Sequence, residues 1–183
     1  MFPFPSLKFK SKKSKEKFSA GLDIGAHSIK LVILKSHKDG AELCGFNIEP
    51  AELDVAPVLK KLTESNNIKS VNISVSGSGT LIRYINFPKM QEAELKQALK
   101  FEAQKHIPFS INEVDIDACI LRDNLPDNKM LILLAAVKKE FISKRMKVIE
   151  EAGLKLNIID VDSAALVNAF NFNFPEYKTE ADS

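Results

Sequence analysis

Residues 21–30, Gly-Leu-Asp-Ile-Gly-Ala-His-Ser-Ile-Lys, form two apolar strand-like segments joined by a tight turn at Gly25. A turn that contains a glycine and a small residue allows backbone N–H groups to approach an anion closely. Ser28 adds a hydroxyl group and Lys30 a positive charge, and both can bind phosphate oxygens. Asp23 ends the first strand, where it can hold water molecules around Mg²⁺, an ion that normally keeps several of them. The pattern predicts a phosphate-binding turn, and a β-hairpin with an ordinary polar turn is the alternative.

The rest of the chain continues this mixture of strands and helices. Apolar periodicity and turn residues predict strands at Ser19–Gly25, Ser28–Lys35, Ala41–Ile48, Ser70–Val75, Leu81–Phe87, Asp115–Arg122, Met130–Val137 and Lys155–Val161. Helices are predicted after Asp54, from about Gln91 to His106, from about Lys139 to Ala152 and from Ser163 to about Phe170. We expect no secondary structure after Asn171. Because strands and helices mix throughout, the predicted fold class is α/β.

The composition of the chain limits the classes of protein to which it can belong. The chain has 183 residues, of which 45% are hydrophobic and 27% are charged, which suits a globular protein with a sizeable core. No run approaches the ~20 apolar residues of a membrane-spanning helix. The three histidines lack the spacing of metal ligands, and no Ser/His/Asp or Cys/His arrangement can be assembled. The sequence therefore favours a protein that is not an enzyme on its own.

Positive charge is concentrated at the start of the chain. Residues 1–17 hold six lysines against the single acid Glu16, so they carry +5 in a chain whose total is +2, and the remainder carries −3. These lysines are Lys8, Lys10, Lys12, Lys13, Lys15 and Lys17. We expect a basic flexible tail that binds an anionic membrane surface; a solvated leader is the alternative. The acidic remainder argues against a nucleic-acid-binding face.

Four blocks of sequence carry a resemblance to a known family. They are residues 21–32, 87–90, 101–114 and 134–166. In these blocks the chain resembles the PilM family of type IV pilus assembly proteins, which are relatives of the cell-division protein FtsA in the actin-like ATPase superfamily. The first block is shared by the whole superfamily, whereas the pattern Glu-x-x-x-x-Ile-Pro-Phe at residues 102–109 is more specific to the pilus branch. The resemblance covers about residues 18–172 and corresponds to the N-terminal half of such a protein.

The resemblance implies a division of the chain. Residues 18–80 and 139–172 would form an actin-like (ribonuclease H-like) subdomain 1A. Residues 81–138 would form an inserted FtsA-type subdomain 1C. The basic flexible tail of residues 1–17 and a polar tail of residues 173–183 would flank them.

The resemblance also implies a cofactor site. The expected first phosphate loop consists of Asp23, Gly25, Ser28 and Lys30, with Asp23 holding Mg²⁺ indirectly through water. His27 departs from the family, which usually has a small residue there. The second half of such proteins supplies the other phosphate loop and the adenosine pocket. We therefore expect ATP and Mg²⁺ to bind in a complete two-half protein, and weakly or not at all to this chain alone.

The implied partner is a PilN-like single-span inner-membrane protein. Members of the family hold its cytoplasmic N-terminal peptide in a groove between subdomains 1A and 1C. By position, that groove would be lined by Ile82, Tyr84, Phe87 and Phe101. Core packing is the alternative for all four. The resemblance thus implies a cytoplasmic adaptor, peripheral to the inner membrane, in a type IV pilus or related secretion complex.

Two other functions remain open at this point. One is an ATP-binding, polymerising actin-like protein, which the turn at residues 23–30 favours and the missing second half opposes. The other is an FtsA-like cell-division protein. FtsA carries its membrane helix at the C-terminus, whereas the candidate membrane anchor of this chain is N-terminal. Self-association or a separate second half is a further possible partnership.

Overall fold

The computed structural model describes residues 17–38 and 40–177. Over these residues it contains eight strands and four α-helices. In chain order they are β1 (Lys17–Ile24), β2 (Ser28–His37), β3 (Gly40–Pro50), α1 (Val55–Ser65), β4 (Ser70–Val75), β5 (Thr80–Pro88), α2 (Glu92–Ala103), β6 (Val114–Leu125), β7 (Lys129–Lys138), α3 (Lys139–Glu151), β8 (Lys155–Val161) and α4 (Asp162–Asn173). The order of strands and helices predicted from the sequence is confirmed, with boundaries that differ by a few residues.

The chain divides into two compact units. The described residues up to Val75, together with 143–160, form the first unit. Residues 76–142 and the described part of 161–183 form the second unit. The subdomain boundaries implied by the resemblance stay a prediction.

The first unit is built on a five-stranded sheet with the strand order β3-β2-β1-β4-β8. Strands β1, β2 and β3 form an antiparallel meander, and β4 pairs with β1 in parallel. The crossover from β3 to β4 contains α1, which begins where Asp54 Oδ1 accepts a hydrogen bond from the Ala56 N–H at 3.3 Å. This arrangement leaves the β1–β2 turn at one end of the sheet.

Alternation along the strands separates the two faces of this sheet. On β2, Ile29, Leu31 and Ile33 are buried, while Lys30 and Val32 are exposed. The buried rows of β1, β2 and β4 pack with residues of α1 and α3, and the core consists of Ala20, Leu22, Ile24, Ile29, Leu31, Ile33, Leu59, Leu62, Val71, Ile73, Ile149, Ala152 and Leu154.

The outer edge of this sheet is β3, a strand of 11 residues. Leu43, Phe46 and Ile48 of β3 are exposed. They lie opposite Leu34, Val32 and Lys30 of β2, so they belong to the face that does not contribute to the core. The edge therefore presents a row of apolar side chains to solvent.

The second unit contains an antiparallel sheet with the strand order β5-β7-β6. One face is apolar along all three strands, and α2 covers it. The helix begins where Glu94 Oε2 accepts a hydrogen bond from the Gln91 N–H at 2.9 Å. The core on this side of the sheet consists of Ile85, Phe87, Leu95, Leu99, Ala103, Ile107, Val114, Met130, Ile132, Leu134 and Ala136.

The prediction of no secondary structure after Asn171 was wrong for the residues up to Tyr177. Helix α4 runs to Asn173, and a 3-10 turn follows at Pro175–Tyr177. The rings of Phe170 and Phe174 lie 5.1 Å apart, and Tyr177 lies 5.9 Å from Phe170. Residues four apart are neighbours on a helix, so these aromatic contacts hold the chain in order beyond the predicted end.

The predicted basic tail falls almost entirely outside the described residues. Lys8, Lys10, Lys12, Lys13 and Lys15 belong to the part that is not described. Lys17 is the first residue of β1, and its backbone is paired with that of Ser36. The first strand thus begins at the last residue of the expected tail.

Candidate functional site

The four residues of the predicted phosphate-binding turn lie close together at the β1–β2 hairpin. Asp23 and Lys30 are opposite each other in the antiparallel pair. Lys30 Nζ donates a hydrogen bond to Asp23 Oδ2 at 2.6 Å, and both side chains are about half exposed. An exposed ion pair of this kind contributes only about 0–1 kcal/mol to stability, so either charge can turn to a ligand at little cost.

Backbone hydrogen bonds fix the turn between these strands. The Gly25 N–H donates to the Ser28 carbonyl oxygen at 3.0 Å, and the Ala51 N–H donates to the His27 carbonyl oxygen at 3.0 Å. A Cβ atom at residue 25 would lie 2.9 Å from the Ser28 oxygen, so glycine alone fits there without a backbone shift. Since the Gly25 N–H is bonded within the turn, an anion would be bound by the Ser28 hydroxyl and the Lys30 ammonium.

Arg145 is a candidate residue of the site that the sequence did not reveal. Its guanidinium donates to the carbonyl oxygen of Ile24 at 2.7 Å. This contact gives the last carbonyl group of β1 a hydrogen-bond partner and brings a second positive charge close to the turn. The two residues are 121 positions apart, and no local pattern connects them, because only the packing of α3 places Arg145 there.

These residues fit part of a nucleotide site. Ser28 and Lys30 can donate to phosphate oxygens, and Asp23 can orient water around Mg²⁺. Within residues 17–38 and 40–177, no group of three or more His, Cys, Asp or Glu side chains is placed to hold a metal ion directly. Binding of ATP and Mg²⁺ stays a prediction for a complete two-half protein.

We expect this chain alone to show no ATP hydrolysis above the buffer rate, and weak or no binding of ATP·Mg²⁺. Phosphoryl transfer requires positioning from both sides of the phosphate, and the turn supplies one side. Phosphate release and calorimetric titration measure the two quantities. The matched variant is Asp23→Ala, which we expect to lower the free energy of unfolding by about 1 kcal/mol or less. Turnover by the natural sequence that disappears in Asp23→Ala would contradict the expectation.

The four residues predicted to line a partner groove do not share one surface. Tyr84 is 66% exposed and Phe101 is 80% exposed, whereas Phe87 is 2% exposed in the core of the second unit. Side chains alternate along β5, so Ile82 and Tyr84 lie on one face and Phe87 on the face that α2 covers. Phe101 points away from the helix positions that pack on the sheet, Leu95, Leu99 and Ala103. The structure therefore brings only Ile82 and Tyr84 together, and the groove itself stays a prediction.

A single face of the second unit's sheet carries Ile82 and Tyr84, on the side opposite α2. It is formed by Ile82 and Tyr84 of β5, Leu131, Leu133, Ala135 and Val137 of β7, and Asp115, Asp117 and Cys119 of β6. We call this surface the Tyr84 face. In its central row, Tyr84 lies opposite Leu133, and Leu133 lies opposite Cys119. Between an aromatic margin and an acidic margin, the centre of the face is apolar and largely covered, since Leu133 is 8% and Val137 7% exposed.

Comparison with protein families decides the membership of the chain. The family model described as type IV pilus assembly protein PilM matches residues 21–181. The chain belongs to the PilM family. The resemblance seen in the four sequence blocks is thereby confirmed.

Two solved structures are similar in fold to this PilM-family chain. One is a PilM-PilN type IV pilus biogenesis complex, with 24% identity, a TM-score of 0.76 and coverage of 86% of this chain and 51% of that chain. The other is the cytoplasmic domain of EpsL, an inner membrane component of the type II secretion system of Vibrio cholerae, with 12% identity, a TM-score of 0.60 and coverage of 81% and 59%. The PilM-family chain thus spans little more than half the length of either structure.

These likenesses confirm the expected α/β fold class for the PilM-family chain. In the part of the chain that the structure describes, no helix has both the length and the apolar character required to span a membrane.

Proposed function

We propose that this chain is a cytoplasmic adaptor, peripheral to the inner membrane, in the assembly complex of a type IV pilus or a related secretion system. Its proposed partner is a PilN-like single-span inner-membrane protein, whose cytoplasmic N-terminal peptide it binds. Membership of the PilM family supports the pathway. The partner is supported by the similar structure, which is a complex of PilM with PilN.

The exposure of Tyr84 is the observation that supports one particular surface as the binding site for the partner. This tyrosine is 66% exposed in the middle of a β-strand, with the apolar row of β7 beside it. Its neighbour across the strands, Leu133, is buried, so the exposed feature is the aromatic ring, and exposed aromatic side chains are typical of protein-binding sites. An extended peptide can lie across such a face and place its own apolar side chains against the ring. We therefore assign the peptide to the Tyr84 face.

The attachment to the membrane surface is part of the same proposal. The lysine-rich start of the chain supports it, since each lysine close to an anionic leaflet contributes about 1 kcal/mol. Co-sedimentation with anionic vesicles measures this attachment, which should weaken as salt concentration rises. Absent or salt-independent co-sedimentation would count against it.

We expect Tyr84→Ala to weaken binding of the N-terminal peptide of a PilN-like protein about tenfold, as for the loss of an aromatic contact of about 1.4 kcal/mol. Because the side chain is mostly exposed, the melting temperature should stay close to that of the natural sequence. Fluorescence titration of the labelled peptide and thermal denaturation provide the two measurements.

The matched control is Phe101→Ala, which removes an even more exposed aromatic ring from the other side of the second unit. We expect this variant to bind the peptide like the natural sequence. Equal loss of binding in both variants would remove the assignment to the Tyr84 face. If the natural sequence binds none of the PilN-like peptides tested, the adaptor proposal itself is wrong.

A further inference from the structure

The acidic margin of the Tyr84 face lies on an edge strand. Asp115 and Asp117 are exposed on β6, opposite Val137 and Ala135 of β7. The residues between and beside them, such as Ile116, point to the face that α2 covers. Because no other strand of the described residues pairs with the outer side of β6, the two carboxylates border the apolar centre without being part of it.

Asp117 Oδ1 accepts a hydrogen bond from the neighbouring Ala118 N–H at 2.9 Å, a backbone contact that leaves its negative charge in place. Within residues 17–38 and 40–177, no ion pair involves Asp115 or Asp117. The nearest cations in sequence on β7 and α3 are used elsewhere. Lys138 belongs to the opposite face, with its Nζ 5.1 Å from the centre of the Phe109 ring. Lys139 Nζ donates to the Asn112 carbonyl oxygen at 2.8 Å.

The two ends of the Tyr84 face differ in charge. Arg122 lies opposite Leu131, beyond an irregularity in the pairing of β6 with β7. It is therefore at the end of the face remote from Asp115. Because Asp123 follows Arg122 and Asp127 lies in the next turn, that end carries both signs of charge, whereas the end at Asp115 and Asp117 is negative and favours a positive charge in the bound segment.

We propose that the peptide bound on the Tyr84 face places a lysine or arginine side chain against Asp115 and Asp117. This inference rests on the proposed function, and it adds the chemistry of the bound segment. Cytoplasmic segments next to membrane spans carry an excess of Lys and Arg, so a single-span inner-membrane partner supplies such a residue. Opposite charges at the margin of a binding surface fix orientation and increase the association rate.

The sheet also sets the spacing within the bound segment. Asp117 lies two strands across from Tyr84 and two residues along, which corresponds to about 12 Å from strand spacings of about 4.8 Å and rises of about 3.3 Å. An extended peptide covers this distance in about four residues. The basic residue of the partner therefore lies about four positions from the apolar residue that contacts the Tyr84 ring.

The test is a titration of the full chain with the N-terminal peptide of a PilN-like protein, and with the same peptide after its Lys and Arg residues are replaced by Gln. For the natural peptide at low salt, we expect Asp115→Asn combined with Asp117→Asn to weaken binding about fivefold to tenfold. At 0.5 M salt the effect should largely disappear, because exposed charges are screened. For the Gln peptide the same double variant should bind like the natural sequence.

The matched control is Asp123→Asn combined with Asp127→Asn, which removes two exposed carboxylates of the same unit from the remote end of β6 and its turn. We expect this control to change binding less than twofold. A second measurement follows the alkylation rate of Cys119 in a Cys44→Ser variant, in which Cys119 is the remaining cysteine. A peptide on the Tyr84 face should slow alkylation of this thiol, and binding that leaves alkylation unchanged would place the peptide elsewhere.

The outcomes separate this inference from the proposed function. If Tyr84→Ala weakens binding and the acidic double variant does not, the adaptor role stands and the charge contact is wrong. If the variant with Asp115→Asn and Asp117→Asn binds the peptide normally but self-associates, the two carboxylates only prevent β6 from pairing with strands of other molecules. The inference is then also overturned. If the natural sequence binds no such peptide at all, both proposals fail together.

Discussion

Replacing Phe87 by alanine is expected to lower the free energy of unfolding by about 3–5 kcal/mol, because it opens a cavity in a closely packed core. Phe87 is 2% exposed and lies opposite Met130 in the β5–β7 pair. The core around it also includes Leu95 and Leu99 of α2. In a chain of this size, such a loss corresponds to a fall in melting temperature of about 10 °C.

The control for Phe87→Ala is Tyr84→Ala on the same strand. Tyr84 points to the other face and is mostly exposed, so its removal should change the free energy of unfolding by about 0.5 kcal/mol or less. Urea denaturation followed by circular dichroism measures both variants under the same conditions. Equal stability of the two variants would show that Phe87 does not belong to the core, and would restore it as a residue of the partner surface.

The first unit should respond as strongly to Leu31→Ala, with a loss of about 2–5 kcal/mol. Leu31 is fully buried in β2, opposite Leu22 of β1. It belongs to the core that includes Leu59 of α1 and Ile149 of α3. These neighbours are held by the sheet and by two helices, so they cannot close the cavity by a small movement.

The adjacent residue provides the control in this unit. Val32 is 38% exposed and points to the opposite face of β2. We expect Val32→Ala to cost about 1 kcal/mol or less, again by urea denaturation. The difference between the two variants in the free energy of unfolding measures how much more tightly the core face of the sheet is packed than the opposite face. Similar losses at both positions would mean that the second face is packed as well.

The order of elements could be predicted because each element carries its own local signal. Alternation identified strands such as β2, and the capping position of Asp54 identified the start of α1. The end of α4 could not be predicted. Polar residues between Asn171 and Tyr177 suggested irregular chain, whereas contacts among three aromatic rings extend the ordered structure.

The turn at residues 23–30 was partly predictable for the same reason. Asp23 and Lys30 had to face each other once the turn was tight, because antiparallel pairing fixes the register from the turn. Arg145 could not be found in this way. Its contact with Ile24 depends on how α3 packs, and that is a property of the folded unit and not of any local pattern.

The partner surface shows the limit of strand patterns most clearly. Alternation along β5 divides Ile82 and Tyr84 from Phe87, but it does not say which set a helix covers. That choice depends on the apolar positions of α2 and on the matching rows of β6 and β7. For the β5 candidates, only the sheet register decides which residue is buried, and it places Phe87 in the core and leaves Tyr84 exposed.

The exposed row on β3 has a consequence for handling the protein. Among the described strands β3 is an edge strand of 11 residues with Leu43, Phe46 and Ile48 in solvent, and such an edge is a template on which strands of other molecules can align. Precipitation during concentration would then begin from the folded state at this edge, without unfolding of either core. Natural edge strands often carry a lysine that prevents such alignment, and β3 has none. Phe46 is the position where one positive charge would interrupt the row at its middle.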